Sequence, residues 1–474
     1  MIIKTSVNGS ESGYRSVARP DLEPGTKLTT PRLIAFAMPS FAMSLLYGPV
    51  GSILPTIYAK YYALDLAFIG SVLMVSRIFD AVSDPVIGFL SDRTRTPLGN
   101  RKPWIIAGYG LTLIAVYHLF LPPDTVQPMY FMIWFILLYQ FLTVSEIPYQ
   151  SWQAEITRDY RIRSKVVSVR AAFGTAGGLL FAVAPLLPIF ETHEMTPAVM
   201  KLVALILIVL LPISVCFSVV FAPQGKAVAV KKTGSVINLI RDFKKSKPFL
   251  IFTAAFLFVG LASGMQQILG FLYFDTYLGI GDKFPIIFLS MSITQLLAIP
   301  VWFRIMNKIS RHRALAVGTI LSVFVSIALM FLRPGPSVFP VFMVIWICML
   351  FLAAAVFIVP PAMMADVIDY DILKSGSNRT GQYYAVFTMI VKANVGLGGG
   401  LGFFIVDLFG YDAASRVHAP ETMMGIWIAV GILPSIFYII SSIILWRFPI
   451  DERRQDIIRR RIEMRSERMH RTEQ

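Results

Sequence analysis

Twelve apolar runs divide the chain, at residues 32–59, 66–91, 103–122, 128–150, 165–188, 199–222, 248–278, 284–303, 314–332, 337–365, 381–410 and 422–447. Each is long enough to carry a helix across the ~30 Å hydrocarbon layer. Lipid-exposed backbone must satisfy its own N–H and C=O groups, so a chain patterned this way folds as a bundle of membrane-spanning helices. Composition agrees: 56% of residues are hydrophobic and 15% charged, against ~25% charged in ordinary globular domains. The fold class read here is all-α and polytopic.

A net charge of +15 invites a nucleic-acid reading, but the basic residues are confined to particular connections. Arg93, Arg95, Arg101 and Lys102 occupy one, Arg158, Arg161, Arg163 and Lys165 a second, and Arg304, Lys308, Arg311 and Arg313 a third. The segment 223–247 carries Lys226, Lys231, Lys232, Arg241, Lys244, Lys245 and Lys247. The alternate connections hold few Lys or Arg. Positive charge marks cytoplasmic loops, so both termini are expected in the cytoplasm of a multi-pass plasma-membrane protein, the inner membrane if the source is bacterial. Residues 1–30 contain no apolar run, and no cleavable leader is expected. No nucleic-acid partner is implied.

The long basic connection splits the chain into a cytoplasmic segment 1–31, a six-helix bundle 32–222, a central loop 223–247, a second six-helix bundle 248–447 and a basic tail 448–474. A two-fold pseudo-repeat of this kind places a solute site between halves near the bilayer midplane. In the tail, Arg459, Arg460 and Arg461 alternate with Ile457, Ile458 and Ile462. That pattern suits a helix on an anionic leaflet and equally a solvated basic tail. Cys216 and Cys348 fall inside apolar runs and are expected as buried core thiols without a disulfide. Trp104, Trp134 and Trp446 are placed as interfacial anchors.

Chemistry concentrates where charge enters the apolar runs. Arg77, Asp80 and Asp84 lie at i, i+3 and i+7 on one helical face. Each charge at bilayer depth costs roughly 2.5–3.5 kcal/mol, so the set needs partners, water or a cation. Thr143 and Glu146 share a face at the end of the fourth span. Asp80, Asp84, Thr143 and Glu146 form a hard-oxygen set suited to Na+ or to protonation. Lys392 sits in the middle of the eleventh span and Arg170 in the fifth; both are cations in need of carboxylate or water. Tyr149 and Gln150, followed by Trp152, are candidates for the cavity wall. Glycines 396, 398, 399, 400 and 402 permit close helix approach. Asp92, Arg93, Arg101 and Lys102, with Asp366 and Asp369 in what reads as a loop after Pro360-Pro361, are candidates for a cytoplasmic charge gate made and broken during rocking.

Gly88-x-Leu90-x-Asp92-Arg93 with Gly99-x-Arg101-Lys102 resembles the loop signature of the major facilitator superfamily. More narrowly, Arg77-x-x-Asp80-Ala81-x-x-Asp84-Pro85, Arg101-Lys102-Pro103-Trp104, Glu146-Ile147-Pro148 and Asp366-x-x-Asp369-Tyr370 resemble the glycoside–pentoside–hexuronide:cation symporters. The resemblance implies the major facilitator fold, with Asp80, Asp84 and Thr143 at a cation site. It implies further that Glu146 is shared between cation and sugar, with Arg170 at the sugar and Lys392 near both. Sugar carriers of that family bear a Lys-Asp pair in the first helix, whereas this first span contains neither Asp nor Glu and reads Met38-Pro39-Ser40-Phe41-Ala42-Met43-Ser44. Gln150 stands where they place a stacking tryptophan.

The expected function is cation-coupled symport, with Na+ or H+ as coupling ion, of a small organic solute: a sugar, glycoside or uronide. The alternatives are a less polar or amphiphilic solute on the same fold, or an uncoupled facilitator or exporter. No cofactor is expected, no metal beyond Na+, and a monomer is the expected unit. An enzyme is disfavoured because His118, His193, His312, His418 and His470 have no ligand spacing and no phosphate loop or nucleophile elbow is present.

Overall fold

The computed structural model describes residues 29–156, 160–223, 246–375, 380–413, 415 and 420–473. The first half contains α1 (Thr30–Tyr62), α2 (Leu66–Arg93), α3 (Lys102–Phe120), α4 (Pro128–Glu155), α5 (Tyr160–Val183) and α6 (Pro197–Phe221). The second contains α7 (Lys247–Tyr277), α8 (Phe284–Lys308), α9 (Arg311–Met330), α10 (Val338–Ser375), α11 (Thr380–Leu408) and α12 (Glu421–Trp446), followed by α13 (Glu452–Glu473). Twelve of these are long and apolar enough to cross a membrane.

Local chemistry sets the boundaries. Proline occupies the first turn of α1, α3, α4, α6, α7 and α8, where its missing N–H would have no helical partner. Asp65 caps α2 by accepting from Phe68 N at 2.8 Å. Turns of π-helix interrupt α1 at Pro49–Ile53, α7 at Tyr273–Tyr277 and α12 at Ile428–Ile432. The disturbed ladder is repaired by a neighbour in α12, where Gln266 Nε2 donates to Val430 O at 3.2 Å.

Within the first half α1 packs on α5 and α6, α3 on α4 and α6, and α2 on α4. In the second, α7 packs on α11 and α12, α9 on α10 and α12, and α8 on α10. The halves meet along three lines: α2 with α11, α5 with α8, and the π turn of α1 with α7. The glycine stripe of α11 makes possible the first of these packings and, within the second half, that of α11 on α7. A Cβ on Gly400 would fall 2.7 Å from Gly70 O in α2, and one on Gly398 would fall 2.5 Å from Leu261 O in α7. Only hydrogen fits at either crossing.

The closure is lopsided. One apolar core joins Leu33–Val215 of the first half to Met265–Ile287, Leu329–Leu350 and Phe403–Val430 of the second. A separate core, from Phe249–Ala262, Ala298–Val323, Leu352–Ile368 and Tyr438–Ile458, belongs to the second half alone and lies at its basic end. The halves therefore share a core at the end remote from the basic connections and part toward the basic end. There Phe79, Val82, Val86 and Phe89 of α2 are exposed.

Three expectations change. The Asp366–Asp371 stretch is not a loop: α10 runs through Pro360 and Pro361 to Ser375. Buried Met363, Met364, Val367 and Ile368 hold that extension against the second core, which offsets the lost proline N–H groups. Cys216 and Cys348 are exposed on the bundle surface rather than buried, because they fall on the helix faces turned away from the cores. Between the two tail readings, the chain forms helix α13, which buries Ile458 and Gln455 and docks on α10. The stretches 1–28 and 224–245, including the basic residues of the central loop from Lys226 to Lys245, lie outside the described residues.

Candidate ion and solute site

Two polar clusters sit side by side inside the bundle, and α4 supplies both. Gln140, Thr143, Glu146, Tyr149 and Gln153 follow one another at three- and four-residue steps, a stripe that winds around α4 from one cluster to the other.

The upper cluster is built on α2. Arg77 Nη1 lies 2.9 Å from Asp80 Oδ2, with the guanidinium carbon 3.8 Å from the Tyr139 ring centroid. Gln140 Nε2 donates to Asp80 Oδ1 at 3.3 Å. Asp84 Oδ1 accepts from Thr143 Oγ1 at 3.1 Å, and Asp84 Oδ2 pairs with Lys392 Nζ from α11. This last pair spans the two halves. Gly396, one turn beyond Lys392, makes room for Arg77: a Cβ there would fall 2.0 Å from Arg77 Cγ.

One turn along α4, Glu146 organises the second cluster. Its Oε1 accepts from Tyr109 Oη at 3.0 Å and its Oε2 from Arg170 Nη2 at 3.1 Å. The Tyr47 hydroxyl of α1 also faces it. Arg170 also donates from Nε to Ser40 Oγ at 3.1 Å and from Nη1 to Gln153 Oε1 at 2.8 Å, which leaves two of its five N–H groups for a ligand. Its guanidinium lies over the Tyr149 ring, 4.4 Å from the centroid. Tyr149 is buried, donates to Phe36 O and forms the floor beneath Arg170. Gln150 is exposed and, among the described residues, takes no part in either cluster.

The structure thus brings Asp80, Asp84 and Thr143 together with Arg77 and Lys392. It sets Glu146 apart from them, on Arg170. Tyr47, Tyr109, Tyr139, Gln140 and Gln153 carry no charge and escaped the sequence reading. The stripe periodicity of α4 contains the signal for Gln140 and Gln153; nothing local marks Tyr47 or Tyr109.

At the basic end, Arg101 binds Asp92, Glu155 Oε1 at 2.7 Å and Ser91 Oγ at 2.9 Å. Lys102 Nζ donates to Val219 O at 2.7 Å, satisfying a carbonyl at the end of α6. Arg93 lies over the Phe89 ring. Asp366 pairs with Arg311, and Asp369 accepts from Gln455 Nε2 of α13 at 2.6 Å. The Arg93–Phe89 contact lies within α2 and the Asp369–Gln455 bond joins α10 to α13; the others tie elements of one half together. Glu155, 10% exposed, takes its counter-charge among the described residues from Arg101, so Arg101→Gln should destabilise the protein by about 3 kcal/mol. Thermal unfolding in detergent checks this. Glu155→Gln added to Arg101→Gln should recover more than half the loss, as a coupled pair requires.

A twelve-helix bundle in two halves, with carboxylates and cations facing each other across the join, is a membrane transporter of the major facilitator type. The chain belongs to the family described as MFS/sugar transport protein, which it matches over residues 35–452. It is 24% identical over 458 residues to the uncharacterized symporter YnaJ of Bacillus subtilis, covering 93% of this chain and 96% of the relative. It is 22% identical over 445 residues to the sodium-dependent lysophosphatidylcholine symporter 1-B of Danio rerio, covering 84% of each. The nucleoside transporter NupG shares the fold, with a TM-score of 0.65 at 14% identity over 89% of this chain and all of that structure.

Proposed function

We propose that the protein is a cation-coupled symporter of a small polar solute, a sugar, glycoside or uronide. Asp80 and Asp84 take the coupling Na+ or H+, and Glu146 with Arg170 binds the solute. The observation that carries this reading is the Asp84–Lys392 ion pair across the join of the halves.

With no cation bound, Lys392 neutralises Asp84, and the empty carrier can reorient without an unpaired charge at bilayer depth. Loading a cation at Asp80 and Asp84 releases Lys392 toward the solute cluster. The charge distribution of the Glu146 cluster then changes, and with it the affinity for solute. Coupling is reciprocal, so the solute must raise cation affinity by the same factor. Glu146 and Arg170 together present acceptors and forked donors to hydroxyl or carboxylate groups, with Tyr47, Tyr109 and Tyr149 around them. The basic connections set the cytoplasmic side, so the described state faces inward, and both termini are cytoplasmic.

A second reading, an amphiphilic solute on the same cation site, rests on α1, which offers Ser40 and Tyr47 to the site but no carboxylate. The measurement that separates the two is solute-induced thermal stabilisation of the purified protein, with and without Na+ and at two pH values. The panel covers sugars, glycosides, uronates, steroids and lysolipids. A polar sugar that stabilises only with Na+, or only at the lower pH, is the expected result. Stabilisation confined to lysolipids or steroids moves the solute class to amphiphiles. Stabilisation by a solute regardless of cation and pH refutes coupling.

A further inference from the structure

At the end opposite the basic connections, a charged trio lies outside both clusters. Lys60 ends α1, Asp275 lies in the π turn that ends α7, and Glu194 lies in the connection between α5 and α6. Lys60 Nζ is 2.8 Å from Asp275 Oδ2 and 3.6 Å from Glu194 Oε2. The Asp275 side chain is 1% exposed and that of Glu194 39%. Asp275 Oδ1 is buried without a hydrogen bond, pressed against Gly281.

Chain topology gives the two carboxylates different roles. Glu194 and Lys60 belong to the same half and keep their spacing when the halves rock. Asp275 belongs to the other half and leaves. We propose that Lys60, Asp275 and Glu194 form a charge-exchange latch, in which Lys60 holds Asp275 while this end is closed and passes to Glu194 when it opens. The inference rests on the alternating-access part of the reading above, not on the identity of solute or ion.

The physical case follows from burial. Breaking a desolvated ion pair with no substitute leaves two uncompensated charges, and an interface closed that way would open rarely. A half-exposed second carboxylate within reach keeps Lys60 paired throughout, while Asp275 regains water. The orphaned Oδ1 works in the same direction, because the closed state forgoes solvation at one acceptor and the open state recovers it. Closed and open forms are thereby kept close enough in free energy for a carrier to visit both.

The test uses full-length protein in lipid nanodiscs, which leave both faces accessible. Cys216→Ser and Cys348→Ser remove the native thiols, and Phe284→Cys serves as reporter. Phe284 is buried, with its ring 5.8 Å from that of Phe181 across the join, so a hydrophilic maleimide reaches it only when this end opens. Asp275→Asn should raise the labelling rate about tenfold, and Glu194→Gln should lower it about threefold. In a Lys60→Met background, Glu194→Gln should change nothing. Acceleration by Glu194→Gln would make Glu194 a second member of the closed lock and overturn the exchange. An unchanged rate, or a Glu194 effect that persists without Lys60, would overturn it too. Where Asp275→Asn yields no folded protein, the Lys60→Met comparison carries the test alone. Labelling needs neither solute nor gradient, so failure of the symport reading stays distinguishable from failure of the latch.

Discussion

Asp84→Asn should abolish gradient-driven accumulation while leaving solute exchange at equilibrium measurable. Asp84 holds Thr143 at 3.1 Å through one oxygen and Lys392 through the other. The amide keeps the shape and the Thr143 contact but removes the anion. Lys392 then sits mid-span without its carboxylate, at a cost of roughly 2.5–3.5 kcal/mol on insertion scales, and the proposed cation site loses one of its two carboxylates. Uptake into proteoliposomes under an imposed Na+ or proton gradient should therefore fall to an accumulation ratio of about one, the limit for a carrier no longer coupled to its ion. Counterflow of labelled against unlabelled solute should persist. Full gradient-driven uptake by this variant would remove Asp84 from the coupling site.

The second large effect is expected from Gly400→Val. Position 400 is where α11 crosses α2, and a Cβ would meet Gly70 O at 2.7 Å and Met74 Cγ at 2.3 Å. A carbonyl oxygen on a helix cannot step aside as a flexible side chain can. Overpacking of this kind typically costs ~1–3 kcal/mol, and here the cost falls on one conformation, since only the closed end brings the two helices together. Gly400→Val should leave a folded, membrane-inserted protein whose Phe284→Cys reporter labels at least about tenfold faster. Transport in both directions should drop in parallel. A variant with normal labelling and normal uptake would mean the crossing opens and closes without constraint at this position.

Much of the architecture was legible because bilayers enforce it. Length, hydropathy and the distribution of Lys and Arg marked out the twelve spans, and the Arg77–Asp80–Asp84 face followed from helix geometry alone. The pairing was not legible. Glu146 reads as a ligand shared by ion and solute from its position one turn past Thr143, and its contact with Arg170 follows from the placement of α5 against α4, which the sequence pattern does not give. Asp366 and Asp369 read as a loop because Pro360 and Pro361 normally end a helix, and tertiary packing of Met363 and Val367 overrode them. Lys60 and Asp275, 215 residues apart, sit at helix ends where charge is ordinary, so nothing in the local pattern marks them as partners. Sequence pattern reports which face a residue takes; which neighbour it meets is settled by the crossing of helices remote in the chain.

The fit of Arg77 against Gly396 bears on how such a carrier can change over generations. Position 396 is kept empty by the side chain opposite, since a single methyl there would fall 2.0 Å from Arg77 Cγ. A lineage can give up this arginine and later fill the void, but the reverse order is closed to it, because an alanine arriving first collides with an arginine still in place. Descendants that have lost the arginine should therefore be the ones in which residue 396 is free to vary, and the two positions should drift as a pair although they stand on helices from different halves of the molecule.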